Sequence, residues 1–143
     1  QVINQMISIS ESEMNDFLAQ CYNKSFKRNE IISQPGIIPN EIFFLNSGII
    51  RVLINDPDGN EHSIHFALEN QFIADYSNFI QKSKSYYSLQ TLEESSVVVL
   101  PRSAIEWGYA NLKEGQKMGR LIAEFYFIYQ DNRINNLYAR TPK

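Results

Sequence analysis

Between residues 24 and 100 the apolar residues never form a long run. Phe26, Ile31, Ile32, Ile37, Ile42, Phe43, Phe44, Ile49, Val52 and Ile54 fall in short β-branched or aromatic stretches. Turn-forming pairs separate these stretches: Pro35-Gly36, Pro39-Asn40 and Ser47-Gly48. β-Branched and aromatic side chains fit a pleated, half-buried surface, and Gly, Pro and Asn supply the backbone angles that reverse it. Many short strands in succession predict a mainly β fold, a sandwich or jelly roll. The sharpest local signal is Asn55-Asp56-Pro57-Asp58-Gly59-Asn60, whose Asp-Gly pair suits a tight turn between strands at 49–54 and 61–67. Regular alternation along the second of these puts His62 and His65 on opposite faces. A further pair of strands is expected at 86–92 and 96–100, joined at Glu93-Glu94 and ended by Pro101.

Helical patterns flank this β region. Ser10 with Glu13 three residues later is a capping box, and Met14, Phe17, Leu18 and Cys21 follow at helical spacing, predicting a helix over 8–23 ahead of a β-roll over 24–101. Residues 102–140 predict a short helix near 103–110 and a long one from 114 to about 137. Met118, Leu121, Ile122, Phe125, Ile128 and Tyr129 form one apolar stripe on the long helix, with Lys117, Arg120, Glu124, Gln130 and Asp131 on the remainder. Phe125, Tyr126, Phe127 and Tyr129 place apolar surface on more than one side, which predicts a homodimer seam along this helix.

Bulk properties narrow the function. With 143 residues, 43% of them hydrophobic, the chain is sized for one domain, 1–143, with a real core. Thirteen Lys and Arg against 16 Asp and Glu give a net charge of −3, no footprint for a phosphate backbone or an anionic membrane. No apolar run reaches the roughly 18–20 residues of a membrane span, and no basic-then-apolar leader opens the sequence, so a cytoplasmic protein is expected. Cys21 is the sole cysteine and reads as a small buried hydrophobe. His62 and His65 on opposite faces, with no later His, predict neither a metal site nor a cofactor. No nucleophile sits in a recognisable elbow motif, so the chain is not expected to be an enzyme.

The order of elements, helix, about eight strands with a Gly-turned hairpin, a loop, then a short and a long helix, resembles the sensor domain of the Crp/Fnr transcription regulators. The stretch Phe44-Leu45-Asn46-Ser47-Gly48-Ile49-Ile50-Arg51-Val52 resembles that family's strand-turn-strand, and the likeness continues through Asp58-Gly59-Asn60-Glu61 and Asn70-Gln71-Phe72-Ile73. Gly119-Arg120-Leu121-Ile122-Ala123-Glu124 looks especially like members from Bacteroidetes. The resemblance covers about residues 9–140. It implies a cyclic-nucleotide-binding-like jelly roll that dimerises through the long helix. It also implies that DNA is met only through a C-terminal helix-turn-helix domain, which this sequence does not contain.

The resemblance further implies a ligand loop in which a Gly-Glu pair and a following Arg hold a cyclic nucleotide. Here Ala74 stands at the Gly position, Asp75 at the Glu position, and Ser85 near the Arg position. A cyclic phosphate calls for charge-assisted donors, and Ser85 brings no charge while Tyr86 and Tyr87 bring bulk. Cyclic AMP is therefore not expected to bind through this anchor. Lys82 or Lys84 could serve as a point charge without the guanidinium fork. Ala74, Asp75, Tyr76, Lys82, Lys84, Ser85, Tyr86 and Tyr87 define the expected ligand side. The pocket either takes a different small-molecule effector or is filled by Tyr76, Phe79, Tyr86 and Tyr87, leaving a ligand-free interaction and dimerisation module.

Overall fold

A computed structural model of the chain describes residues 10–117, 119 and 120. Helix α1 spans Glu11–Leu18 and eight strands follow: β1 Tyr22–Phe26, β2 Ile31–Ser33, β3 Glu41–Ser47, β4 Ile50–Asn55, β5 Glu61–Ala67, β6 Phe72–Ile73, β7 Ser88–Thr91 and β8 Ser95–Pro101. Helix α2, Tyr76–Gln81, lies between β6 and β7, and α3, Arg102–Asn111, follows β8. The strands form two antiparallel sheets, ordered β1-β8-β3-β6 and β2-β7-β4-β5. Only the β4–β5 connection stays within a sheet; every other strand-to-strand connection steps to the opposite sheet, as a jelly roll requires.

The β3 and β8 sequences read as nearly unbroken apolar runs because their sheet is covered on both faces. Phe43, Leu45, Val97 and Val99 point between the sheets, where they meet Phe26, Ile50, Val52, Ala67, Ile73 and Leu89. Ile42 and Leu100, one position out of phase, point the other way and meet Phe17 of α1, Phe79 of α2 and Ile105 of α3. Burying both faces removes more apolar surface from water than a one-sided sheet can, at about 25 cal/mol per Å².

Turn chemistry sets the β3–β4 connection. Gly48 has φ +106°, and a Cβ there would lie 2.7 Å from the Cα of Ser95 on β8, so only glycine fits. In the β4–β5 hairpin, Asp56 Oδ1 accepts from the backbone N–H groups of Asp58 and Asn60, both at 2.9 Å, while Gly59 takes φ +85°. The expected hairpin is present, one residue displaced on its first strand.

Several expectations are corrected. The first helix ends at Leu18 instead of 23, because Tyr22 to Phe26 pair with β8 and the sheet hydrogen bonds outweigh the helical spacing. Cys21 sits half-buried in the intervening turn, where desolvation pushes its thiol up to about 11 and its Sγ donates to Phe17 O at 3.6 Å. The strands on either side of Glu93-Glu94 are not partners: β7 and β8 lie in different sheets, and the corner carries the chain between them. A bulge in β5 changes its parity, since Val52 pairs with His65 and Leu53 with Ser63, leaving Ile64 as the extra residue. His62 and His65 thereby pair with Ile54 and Val52, two positions of one face, instead of opposite faces. No cluster of three or more metal-ligating side chains forms among the described residues.

Helical backbone resumes at 115 and the described residues end at 120. The expected dimer stripe, Met118, Leu121, Ile122, Phe125, Ile128 and Tyr129, lies outside the described residues. No helix among the described residues is long and apolar enough to cross a membrane.

Candidate functional site

β6 delivers Ala74 and Asp75, both buried, to the start of α2. Asp75 is the N-cap of that helix: its Oδ1 accepts from the backbone N–H of Asn78 at 3.4 Å. Its Oδ2 accepts from Asn78 Nδ2 at 2.8 Å and from the Ser85 hydroxyl. Ser85 Oγ in turn accepts from the Tyr87 backbone N–H at 2.9 Å, and Asn78 Oδ1 accepts from Ser83 Oγ at 2.8 Å. Asp75, Asn78 and Ser85 are 6%, 6% and 3% exposed, so the network is desolvated, and no buried side-chain polar atom among the described residues lacks a partner.

The main chain closes the same loop from the other side. Ser85 N donates to Ile37 O and Gly36 N donates to Ser85 O, both at 2.9 Å, which fastens the segment after β2 to the end of the loop. Lys82 ends α2 in the left-handed conformation, φ +56°, and its Nζ reaches Glu106 of α3 at 3.9 Å. Among the loop lysines, Lys84 stands on the rim of an open depression of about 840 Å³. Pro35, Gly36, Asn55, Asn78, Gln81, Ser83, Ser85 and Tyr86 line the rest of it.

The loop aromatics do not share one destination. Tyr87 packs against the cluster between the sheets, Tyr76 and Phe79 join the cluster under the helices, and Tyr86 is 73% exposed. Of the two alternatives read from the sequence, a pocket filled by all four of these rings is therefore not what the fold forms. The space between the sheets is occupied by Phe26, Phe43, Leu45 and their neighbours, with Phe26 and Phe43 edge-to-face at 6.5 Å.

Asn78 and Ser83 were not legible as site residues from the loop alone, although Asp75 followed three positions later by Asn78 is an N-cap spacing. Arg102 was also missed. It carries no local sequence signal, and its partners come from segments about 23 and 63 positions away.

Residues 23–111, from β1 to the end of α3, match the cyclic nucleotide-binding domain, and the chain belongs to that family. It is similar to a cyclic nucleotide-binding domain from Methylobacillus flagellatus KT, with a TM-score of 0.84 and 16% identity over 99% of this chain and 82% of that one. It is also similar to the catabolite activator protein of Thermus thermophilus, with a TM-score of 0.72 and 14% identity. That match covers 92% of this chain and 61% of the other, so the chain spans under two thirds of the activator's length. A CRP/FNR-family transcriptional regulator, also from Thermus thermophilus, matches with a TM-score of 0.50 and 18% identity over 57% of this chain and 42% of that one. A search of the curated proteins found no match. The chain is thus a cyclic nucleotide-binding domain with the fold of CRP/FNR-type regulators.

Proposed function

We propose that this chain is the effector-sensing and dimerisation domain of a Crp/Fnr-like transcription regulator, and that it does not hold cyclic AMP through the family's phosphate anchor. The observation that carries the second part is the engagement of Asp75. Its carboxylate is buried and bonded to Ser85 and Asn78, and no arginine occurs from 74 to 87. A cyclic phosphate in this loop would have to displace the Asp75–Ser85 contact and find no guanidinium in return. Forgoing a charge-assisted contact costs about 1.5–3 kcal/mol, tenfold or more in affinity.

An effector on this face would instead meet the depression beside Lys84, whose accessible groups are the amides of Asn55 and Gln81, one ammonium and the ring of Tyr86. Such a lining offers one point charge and no guanidinium fork, which suits a small monocarboxylate in preference to a cyclic phosphate. Thermal denaturation in the presence of cyclic AMP, cyclic GMP and small monocarboxylates tests this. A ligand at 100 times its Kd adds about 2.7 kcal/mol, and a shift confined to the cyclic nucleotides would contradict the proposal.

The filled space between the sheets favours a second reading, a ligand-free interaction and dimerisation module on the same fold. It predicts no shift with any small molecule in that panel.

The homodimer rests on the stripe Met118, Leu121, Ile122, Phe125, Ile128 and Tyr129. Phe125→Asp is expected to give monomers by light scattering, and an unchanged dimer would remove that seam. DNA would be contacted through a helix-turn-helix domain, in the manner of Crp/Fnr regulators, and the module itself would carry out no chemistry. The likeness to Bacteroidetes members remains part of this proposal.

A further inference from the structure

Two stretches of backbone lie side by side along the depression. Gly36 N donates to Ser85 O and Ser85 N donates to Ile37 O, both at 2.9 Å. Ser85 is buried, whereas Lys84 and Tyr86 on either side of it are exposed, as are Pro35, Ile37 and Ile38 on the neighbouring stretch. A Cβ added at Gly36 would meet nothing within 4 Å, so the face between these side chains is open.

The polar groups of the depression divide into two sets. Asn78, Ser83 and Ser85 bond to one another and to Asp75. The side chains of Asn55, Gln81 and Lys84, from the end of β4, the end of α2 and the loop, bond to nothing else among the described residues. They offer two amides and one ammonium, and no carboxylate of the described residues lines the depression to oppose an anion. Single apolar side chains on a surface are ordinary. Here two adjoining segments bring Ile37 and the Tyr86 ring, both exposed, to the rim beside these free donors.

We infer, building on the effector reading of this depression, that its ligand is an amphiphilic monocarboxylate whose carboxylate meets Lys84, Gln81 and Asn55 and whose apolar tail lies along Tyr86 and Ile37. One ammonium balances one carboxylate, and the amide N–H groups supply further donors for its oxygens. Each tail methylene removed from water strengthens binding, by up to about fourfold when its burial is complete. The depression is open, so the tail stays partly wet and the gain per methylene falls short of that limit. Tail length is read by Tyr86 and Ile37, and charge by Lys84.

Nuclear magnetic resonance titration of the isotope-labelled whole chain with acetate, butanoate, hexanoate and octanoate tests the assignment. Amide shifts should concentrate in 36–38 and 81–87, and Kd should fall by about twofold or more per added methylene. Hexanol, which keeps the tail without the charge, should bind more weakly than hexanoate. Lys84→Gln should weaken every acid by roughly two- to fivefold, the worth of an exposed ion contact, without changing the dependence on length. Tyr86→Ala combined with Ile37→Ser should flatten that dependence. All three side chains are exposed, so the variants keep the fold. A Kd independent of tail length, or a dependence that survives the double variant, overturns the tail site while the effector reading stands. Hexanol binding as tightly as hexanoate overturns the carboxylate contact at Lys84. No binding of any acid removes the effector reading and the tail site together.

Discussion

Ser85 donates its hydroxyl hydrogen to Oδ2 of Asp75 across ten positions of chain, and both side chains are buried. The pair stands where the Crp/Fnr resemblance places a carboxylate and an arginine for a ligand. In this chain the carboxylate and the hydroxyl serve each other, and the loop is closed by its own side chains.

Ser85→Ala removes one donor from Asp75 and leaves the Tyr87 backbone N–H without its acceptor. Leaving buried polar groups short of partners costs about 1–3 kcal/mol. The urea midpoint should fall by that free energy divided by m, with m itself unchanged. A variant as stable as the parent would mean that the network contributes nothing to closing the loop.

Gly48→Ala should be costlier than Gly36→Ala. Both positions have positive φ, +106° and +89°, so both changes strain the backbone by about 1–3 kcal/mol. At Gly36 the added methyl meets open space, whereas at Gly48 it collides with Ser95. The melting temperature of Gly48→Ala should fall by several degrees more than that of Gly36→Ala; equal melting temperatures would show that β8 yields freely at Ser95.

Acidification should destabilise the fold through His65. Desolvation lowers its pKa to about 4, against about 6.5 when unfolded. Its contribution is therefore fully present above pH 6.5 and is lost as pH falls towards 4, because the unfolded chain takes up a proton that the folded chain refuses. The loss is at most about 3 kcal/mol, and less for a partly exposed ring. His65→Gln should lose less stability between pH 7 and pH 4.5 than the parent, measured by urea midpoints; identical losses would remove His65 as a source.

The features legible in the sequence were those with local chemistry. Ser10 and Glu13 cap α1 reciprocally, at 3.1 and 3.3 Å, and Asp58-Gly59 turns the hairpin as the sequence predicts. Asp75 and Ser85 do meet, across a loop bounded by β6 and β7.

What escaped the sequence depends on pairing at a distance. The bulge at Ile64 follows from the register of β4 and reverses the reading of the two histidines. Tyr22 joins β8 although Cys21, just before it, keeps the helical spacing. Lys82, at the left-handed end of α2, comes within 3.9 Å of Glu106 on α3, 24 positions on. Arg102 gathers acceptors from Pro39, Asn40 and Phe79 that only the fold brings together.

Isothermal titration of the purified chain with cyclic AMP tests the central claim most directly. A closed, arginine-free loop predicts no saturable heat up to about 1 mM ligand, a binding free energy weaker than about −4 kcal/mol. Saturable binding at micromolar concentration that is abolished by Asp75→Ala would contradict the account, because it would require the Asp75–Ser85 contact to open for the nucleotide.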